Sequence, residues 1–292
     1  MIERMRAVLG VTDEQVGKLR AILDDSKIAG QGNPEVTTYA LTRKECRERR
    51  AAAGVADETF AACGGPNMVP ITSGAKPGEG AATVCIDRYE FPDVACDHPM
   101  TWVSARQAEE LCIAVGKRLC DAHEWEGACA GKLLPVEEEY SFGRPRKEQK
   151  GLHNGSREIR WAYGPTKDHT KCGTASSKNE ECTTKGIGWK RCGSNTYPAG
   201  SFPECKSPLG VYDQHGNAAE HMNLPLKADQ LASFPDGKLG ETEMKGSWFI
   251  FQKYEAHDDD CRWRAPDWHA SKVMAHGSHG NYHLGFRCCK SL

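Results

Sequence analysis

MKGSWFIF (residues 244–251), HDDDCRWRAP (257–266) and YHLGFRCC (282–289) follow one another in the last third of the chain. The first and last are apolar runs that read as strands, and the middle one is a loop carrying an Arg-x-Arg pair. Between Met244 and Cys289 lie five of the eleven histidines and three of the fourteen cysteines. Cys288 and Cys289 are neighbours on a strand, so their side chains point to opposite faces and join different partners.

Working outward, Leu209–Asp213 leads into the turn-rich HGNAAEHMN (215–223). Residues 130–200 show no periodicity, and Cys172, Cys182, Cys192 and Cys205 favour cross-linked irregular structure there. Upstream, Asp121 with Glu124 opens a short helix through Trp125 to Cys129. Ser104 caps another, with a buried stripe of Ala108, Leu111, Cys112 and Val115 closed by Gly116. ATVCIDRYEF (82–91) alternates as a strand. Residues 64–82 are rich in Gly and Pro and read as a linker. Before it, helices are expected at the N-terminus, with Thr12 as cap and Gln15 three residues on, and across residues 43–53.

Composition bounds the class. The chain has 292 residues, a hydrophobic fraction of 39% and a formal net charge of −2; mean hydropathy is −0.61. That balance gives no support to a nucleic-acid partner. No run of apolar residues is long enough for a transmembrane helix. MIERMRAVLG lacks the apolar segment of a signal peptide. Fourteen cysteines without C-x2-C spacing favour a disulfide framework and an oxidising, periplasmic or extracellular compartment, in which case the sequence is a mature or truncated form. Free buried thiols are the alternative.

GKRLCDAHEWEGAC (116–129), YSFG (140–143), AGSFPECKSPLGVYDQHGNAAE (199–220), KGSW (245–248), RWRAP (262–266) and GFR (285–287) occur in an order and spacing that resemble the formylglycine-generating enzyme, or sulfatase-modifying factor, family. The resemblance runs over about residues 82–290. It implies a compact, loop-rich α+β fold related to C-type lectins, with short helices and small antiparallel sheets, held by disulfides and calcium. Residues 1–80 fall outside it, as a helical extension with a linker or as a tail without fixed structure; residues 81–292 are then the domain.

By the resemblance, Asp213 and Glu220 supply carboxylate oxygens and Gly216 and Ala218 backbone carbonyls to a calcium ion, although Asp213 and Asn217 also suit plain turn caps. It further implies a Cys112–Cys288 bridge. Cys129 is expected to pair just after the Arg-x-Arg, where Ala265 stands here; Cys261 is the nearest substitute. Cys120 lies about 13 Å along a helix from Cys129, beyond disulfide reach. For Cys289, Cys85 or Cys96 remains open.

The family's enzyme oxidises a substrate cysteine with oxygen, using copper held by two cysteines between the Gly-Ser turn and Arg-x-Arg. Here that interval, WFIFQKYEAHDDDC (248–261), holds Cys261 alone, and Ile250 stands third after Ser247. The tryptophan expected in the asparagine-to-glutamate motif is Ala219. Sulfatase-cysteine oxidation is therefore not expected. Ser247, Cys261, Arg262 and Arg264 are what remains of that site, with the arginines suited to structural ion pairs or to gripping an anion. His221, His257, His269, His276, His279 and His283 are candidate iron or copper ligands, beside Asp258–Asp260, or simply turn and surface residues. Iron-using relatives place their ligand histidines on a separate helical bundle, and residues 1–80 contain no histidine. Two functions follow: an oxygen-dependent iron or copper oxidoreductase acting on a peptide or small molecule, or a non-catalytic calcium- and disulfide-stabilised binding or cell-envelope module.

Overall fold

The structure, a computed structural model, describes residues 1–26, 29–31, 41–74, 76–177, 195–234 and 237–292, the side chain of His269 excepted. Cys182 and Cys192 lie outside the described residues.

Four of the helices begin where the sequence offers reciprocal caps. Helix α1 spans Ile2–Leu9 and α2 Asp13–Asp25, the latter opened by a Thr12/Gln15 capping box. A two-residue strand, β1 (Gly30–Gln31), precedes α3 (Arg43–Ala52), which Thr42 and Glu45 cap in the same way. Strands β2 (Met68–Thr72), β3 (Ala82–Asp87) and β4 (Met100–Thr101) follow. Ser104 with Gln107 opens α4 (Ala105–Ala114). After β5 (Arg118–Leu119), Asp121 with Glu124 opens α5 (Ala122–Ala130). Each box satisfies two helix-end N–H groups that would otherwise lack partners. Two more helices, α6 (Val136–Glu139) and α7 (Arg146–Ser156), lead into largely irregular chain. The last strands are β6 (Ala219–Leu224), β7 (Glu241–Lys245), β8 (Leu284–Phe286) and β9 (Cys288–Ser291).

These strands make a four-stranded sheet in the order β2-β3-β9-β5, a three-stranded sheet β7-β6-β8 and a β1-β4 pair. The C-terminal strand is thus an interior strand, antiparallel to both β3 and β5. One core joins Met5, Leu19 and Leu23 of the N-terminal helices to Ala108, Leu111 and Cys112 of α4. A second lies between the sheet and α5, around Trp125. Long irregular segments over small sheets make this a loop-rich α+β fold.

Three readings change. Residues 64–82 are not only a linker: β2 lies within them and pairs with β3 from Met68↔Asp87 to Thr72↔Ala82. The apolar content of MVPIT outweighed its flanking turn residues. The MKGSWFIF strand stops at Lys245, because Gly246 takes a left-handed φ of 72° and a Cβ there would meet Gln214 O at 2.6 Å. Finally, Cys289 pairs with Cys120 rather than with Cys85 or Cys96. Strand β5 runs beside β9, with Arg118 opposite Cys289. Cys85 is taken by Cys63, and Cys96 by Cys46.

The remaining disulfides are Cys112–Cys288, Cys129–Cys261 and Cys172–Cys205, which makes six among the described residues. The Cys46–Cys96 and Cys63–Cys85 bridges tie the first eighty residues covalently to the rest.

Candidate functional site

Beneath the Asp213–Glu220 turn lies a buried polar core. Glu220 receives Arg287 Nη2 and Nε at 2.6 and 2.7 Å, and Trp125 Nε1 at 2.9 Å. Glu90 receives Asn217 Nδ2 and Ala218 N, both at 2.7 Å. Asp213 accepts the Gly200 N–H at 2.5 Å. Three carboxylates therefore surround one guanidinium. Burial, then the nearby Asp213 and Glu220 charges, push the Glu90 carboxyl well up, and burial raises Asp213 to about 6. Calcium fits this set poorly as arranged. Both Glu220 oxygens already hold donors, and an ion there would have to displace Arg287. The crowded negative charge instead favours the protonated forms of Glu90 and Asp213.

Ser247 is fully buried and accepts the Gly216 N–H at 3.0 Å, which ties its own turn to the Asp213–Glu220 turn. Arg264 Nε reaches Glu126 at 3.1 Å, and its guanidinium lies 4.6 Å from the Tyr140 ring centre. Arg262 pairs with Glu139, and Lys245 also engages Glu126. All are buried in one ion network, and Arg262 and Glu139 also line a surface cavity with His153 and Arg157. Cys261 is held in its bridge to Cys129.

The candidate histidines are dispersed. His221 is buried in β6, with Nε2 at 3.1 Å from Val103 O. His276 is exposed and His279 half-buried on the loop before β8. The side chain of His269 lies outside the described residues. Among the described residues, none of the histidine, cysteine or carboxylate groups with three ligand atoms within 4.8 Å includes His221, His257, His276, His279 or His283.

His257 and His283 instead meet at one ring. Trp248 stacks on His283, with centroids 4.8 Å apart, and lies 5.4 Å from His257. On its other neighbour, Trp263, His257 is nearly parallel, 4.3 Å away at 7°. Phe251 packs against both Trp248 and His257, and Trp268, 60% exposed, lies 6.4 Å from His257 at the rim. His257 Nδ1 donates to Asp258 O at 2.6 Å, which leaves Nε2 as an acceptor. Burial lowers its pKa and keeps the ring neutral. Both His257 Nε2 and Trp248 Nε1 are buried without a hydrogen-bond partner. One acceptor and one donor thus stand unanswered inside a wall of aromatic rings. KGSW carries Trp248 in plain sight, but no spacing in the sequence announces that His257 would fold onto it.

A profile of the family described as the sulfatase-modifying factor enzyme 1-like domain matches residues 36–292. The chain belongs to that family. No curated protein matches it. Among solved structures, the crystal structure of CarF is 14% identical, with 91% of this chain and 97% of that one covered and a TM-score of 0.41. Treponema denticola variable protein 1 is 13% identical, over 77% and 95%, at 0.35. A major tropism determinant I1 variant is 11% identical, over 78% and 55%, at 0.33. At these TM-scores the three likenesses add nothing to the assignment. No helix among the described residues is long and apolar enough to cross a membrane.

Proposed function

We propose that this chain is a non-catalytic, exported recognition module of the family, binding a small molecule or peptide at the aromatic wall around Trp248. The carrying observation is the buried, unpartnered pair of His257 Nε2 and Trp248 Nε1. To reach these buried atoms a ligand must part the packed rings, entering past the exposed Trp268, and a planar face with a donor and an acceptor would then satisfy both. Six disulfides support export to an oxidising compartment. The oxidoreductase reading rests on the packing of His257 and His283 against the same tryptophan.

Elemental analysis of the purified protein separates the two. The recognition reading expects iron and copper well below one equivalent. It also expects tryptophan fluorescence to report binding from a panel of amino acids, dipeptides and heteroaromatic compounds. Trp248→Phe keeps a ring and removes the N–H, and should weaken such binding by about tenfold, the scale of one lost buried hydrogen bond. Stoichiometric iron or copper, lost on His257→Ala or His283→Ala, would replace the proposal with the oxidoreductase.

A further inference from the structure

Three fully buried side chains from distant segments meet: Cys129 at the end of α5, His215 in the Asp213–Glu220 turn, and Cys261 before Arg262. Their ligand atoms lie within 4.8 Å of one another. His215 Nε2 is 3.3 Å from Cys129 Sγ and 3.9 Å from Cys261 Sγ. Bond lengths of about 2.3 Å to sulfur and 2.0 Å to nitrogen put the S–N edges of a tetrahedral Zn2+ site at about 3.6 Å. Both S–N edges are therefore already in place, and only the S–S edge is closed by the covalent bond.

The imidazole is set in the form a metal ligand requires. The Ala162 N–H donates to His215 Nε2 at 3.0 Å, which assigns the ring proton to Nδ1. Nδ1 faces Asp259 Oδ2 at 3.8 Å, and neither atom has a hydrogen-bond partner of good geometry. Trp161 Nε1 fixes the other Asp259 oxygen at 2.8 Å, and His169 Nε2 lies 3.2 Å from Oδ2. A carboxylate behind the ring is the orienting partner that metal-bound histidines commonly have. The Cys120–Cys289 bridge offers a contrast. Its neighbour Glu124 is committed to Arg118 and to the Asp121 N–H, and among the described residues no histidine nitrogen joins that group.

We infer that Cys129, Cys261 and His215 form a Cys2His site for a borderline-soft ion of the Zn2+ type when their disulfide is reduced. With a phosphine as reductant, phosphorus gives two electrons to the S–S bond, and water supplies the oxygen of the phosphine oxide and the two thiol protons. Zn2+ then displaces both thiol protons to solvent and the Ala162 N–H from Nε2, leaving one coordination position open. The inference is independent of any ligand at Trp248.

The test uses the whole folded protein, treated with a water-soluble phosphine under native conditions, with Co2+ as the spectroscopic stand-in for Zn2+. One equivalent of Co2+ should give sulfur-to-cobalt charge-transfer absorption and intense tetrahedral d–d bands, both bleached by Zn2+. Alkylation mapped by mass spectrometry should find Cys129 and Cys261 reactive without metal and protected when Zn2+ is present. His215→Gln should lower Zn2+ affinity at least about tenfold, and Asp259→Asn by about the same factor through loss of the orienting carboxylate. Three results overturn the site: the Cys129–Cys261 bridge stays oxidised while the fold survives, the reduced pair binds no Co2+, or bound metal leaves both thiols unprotected. Should His215→Gln fail to fold, alkylation protection in the unaltered sequence decides alone.

Discussion

Among the described residues Arg287 is the cation paired with Glu220 in the buried polar core, and it also binds the carbonyls of Asp87, Arg88 and Tyr212. Removing one partner of a buried ion pair costs about 3–5 kcal/mol because the other charge is left uncompensated. In a chain of this size each kcal/mol moves the unfolding temperature by roughly 2 °C, so Arg287→Met should lower it by about 5–10 °C. Thermal melts should also show the variant recovering toward pH 5, where Asp213, raised to about 6, takes up its proton. Arg287→Lys should lose less, since the charge stays and only the two-pronged geometry goes. Because donors already occupy both Glu220 oxygens, millimolar calcium or a calcium chelator should leave the melting temperature unchanged. A calcium-dependent rise of several degrees would restore the calcium reading of Asp213–Glu220. At this scale the sequence marked Glu220 but not its use. Its partners Glu90 and Arg287 lie far off along the chain, and no local pattern links them.

Among the elements, the N-terminal helices show how caps and packing divide the stabilisation. Thr12 satisfies only the N-terminal turn of α2, in an exposed position. Leu19, at 0% exposure, fills the core against α4. Thr12→Ala should thus cost about 1 kcal/mol and Leu19→Ala about 2–5 kcal/mol, measured by urea unfolding. Equal losses would mean that the helix hardly packs on the domain. The openings of α2 and α5 were legible because a capping box needs only residues three apart, whereas Ser104 was legible only as a plain cap and the Thr42 box not at all. Strand β2 and the end of β7 were not. The first sits among turn-forming residues, and the second is cut short by the approach of Gln214 O, a contact with a distant segment.

For the molecule as a whole, the buried charges set a pH dependence. Burial, and then Glu126, raise Glu139 to about 8; burial and Glu124 raise Asp121 to about 7. In the unfolded chain both carboxyls have lost their protons well below neutrality. Across that interval the folded state holds more protons, so stability falls as pH rises. Buried His98, His123 and His153, each lowered to about 4, act in the opposite sense, but only below about pH 6.5. From about pH 6.5 to 8 the net slope should be negative, at most about 1.4 kcal/mol per pH unit for each carboxyl. Melting temperatures across that range should decline, and Glu139→Gln should flatten the decline. A flat profile in the unaltered protein would show that Glu139 is ionised near neutrality.

Taken alone, the sequence determined the family, the loop-rich α+β class, the capped helices and the loss of the paired cysteines between Ser247 and Arg262. Each of these is written in residue identity or short spacing. Only the tertiary structure decided that His257 turns its unpartnered nitrogen into the rings around Trp248, that His215 stands against the Cys129–Cys261 bridge, and that Arg287 closes Glu220. Such contacts depend on the paths of long irregular segments. Those paths are set by packing and cross-links between distant residues, which leave no period in the sequence to read.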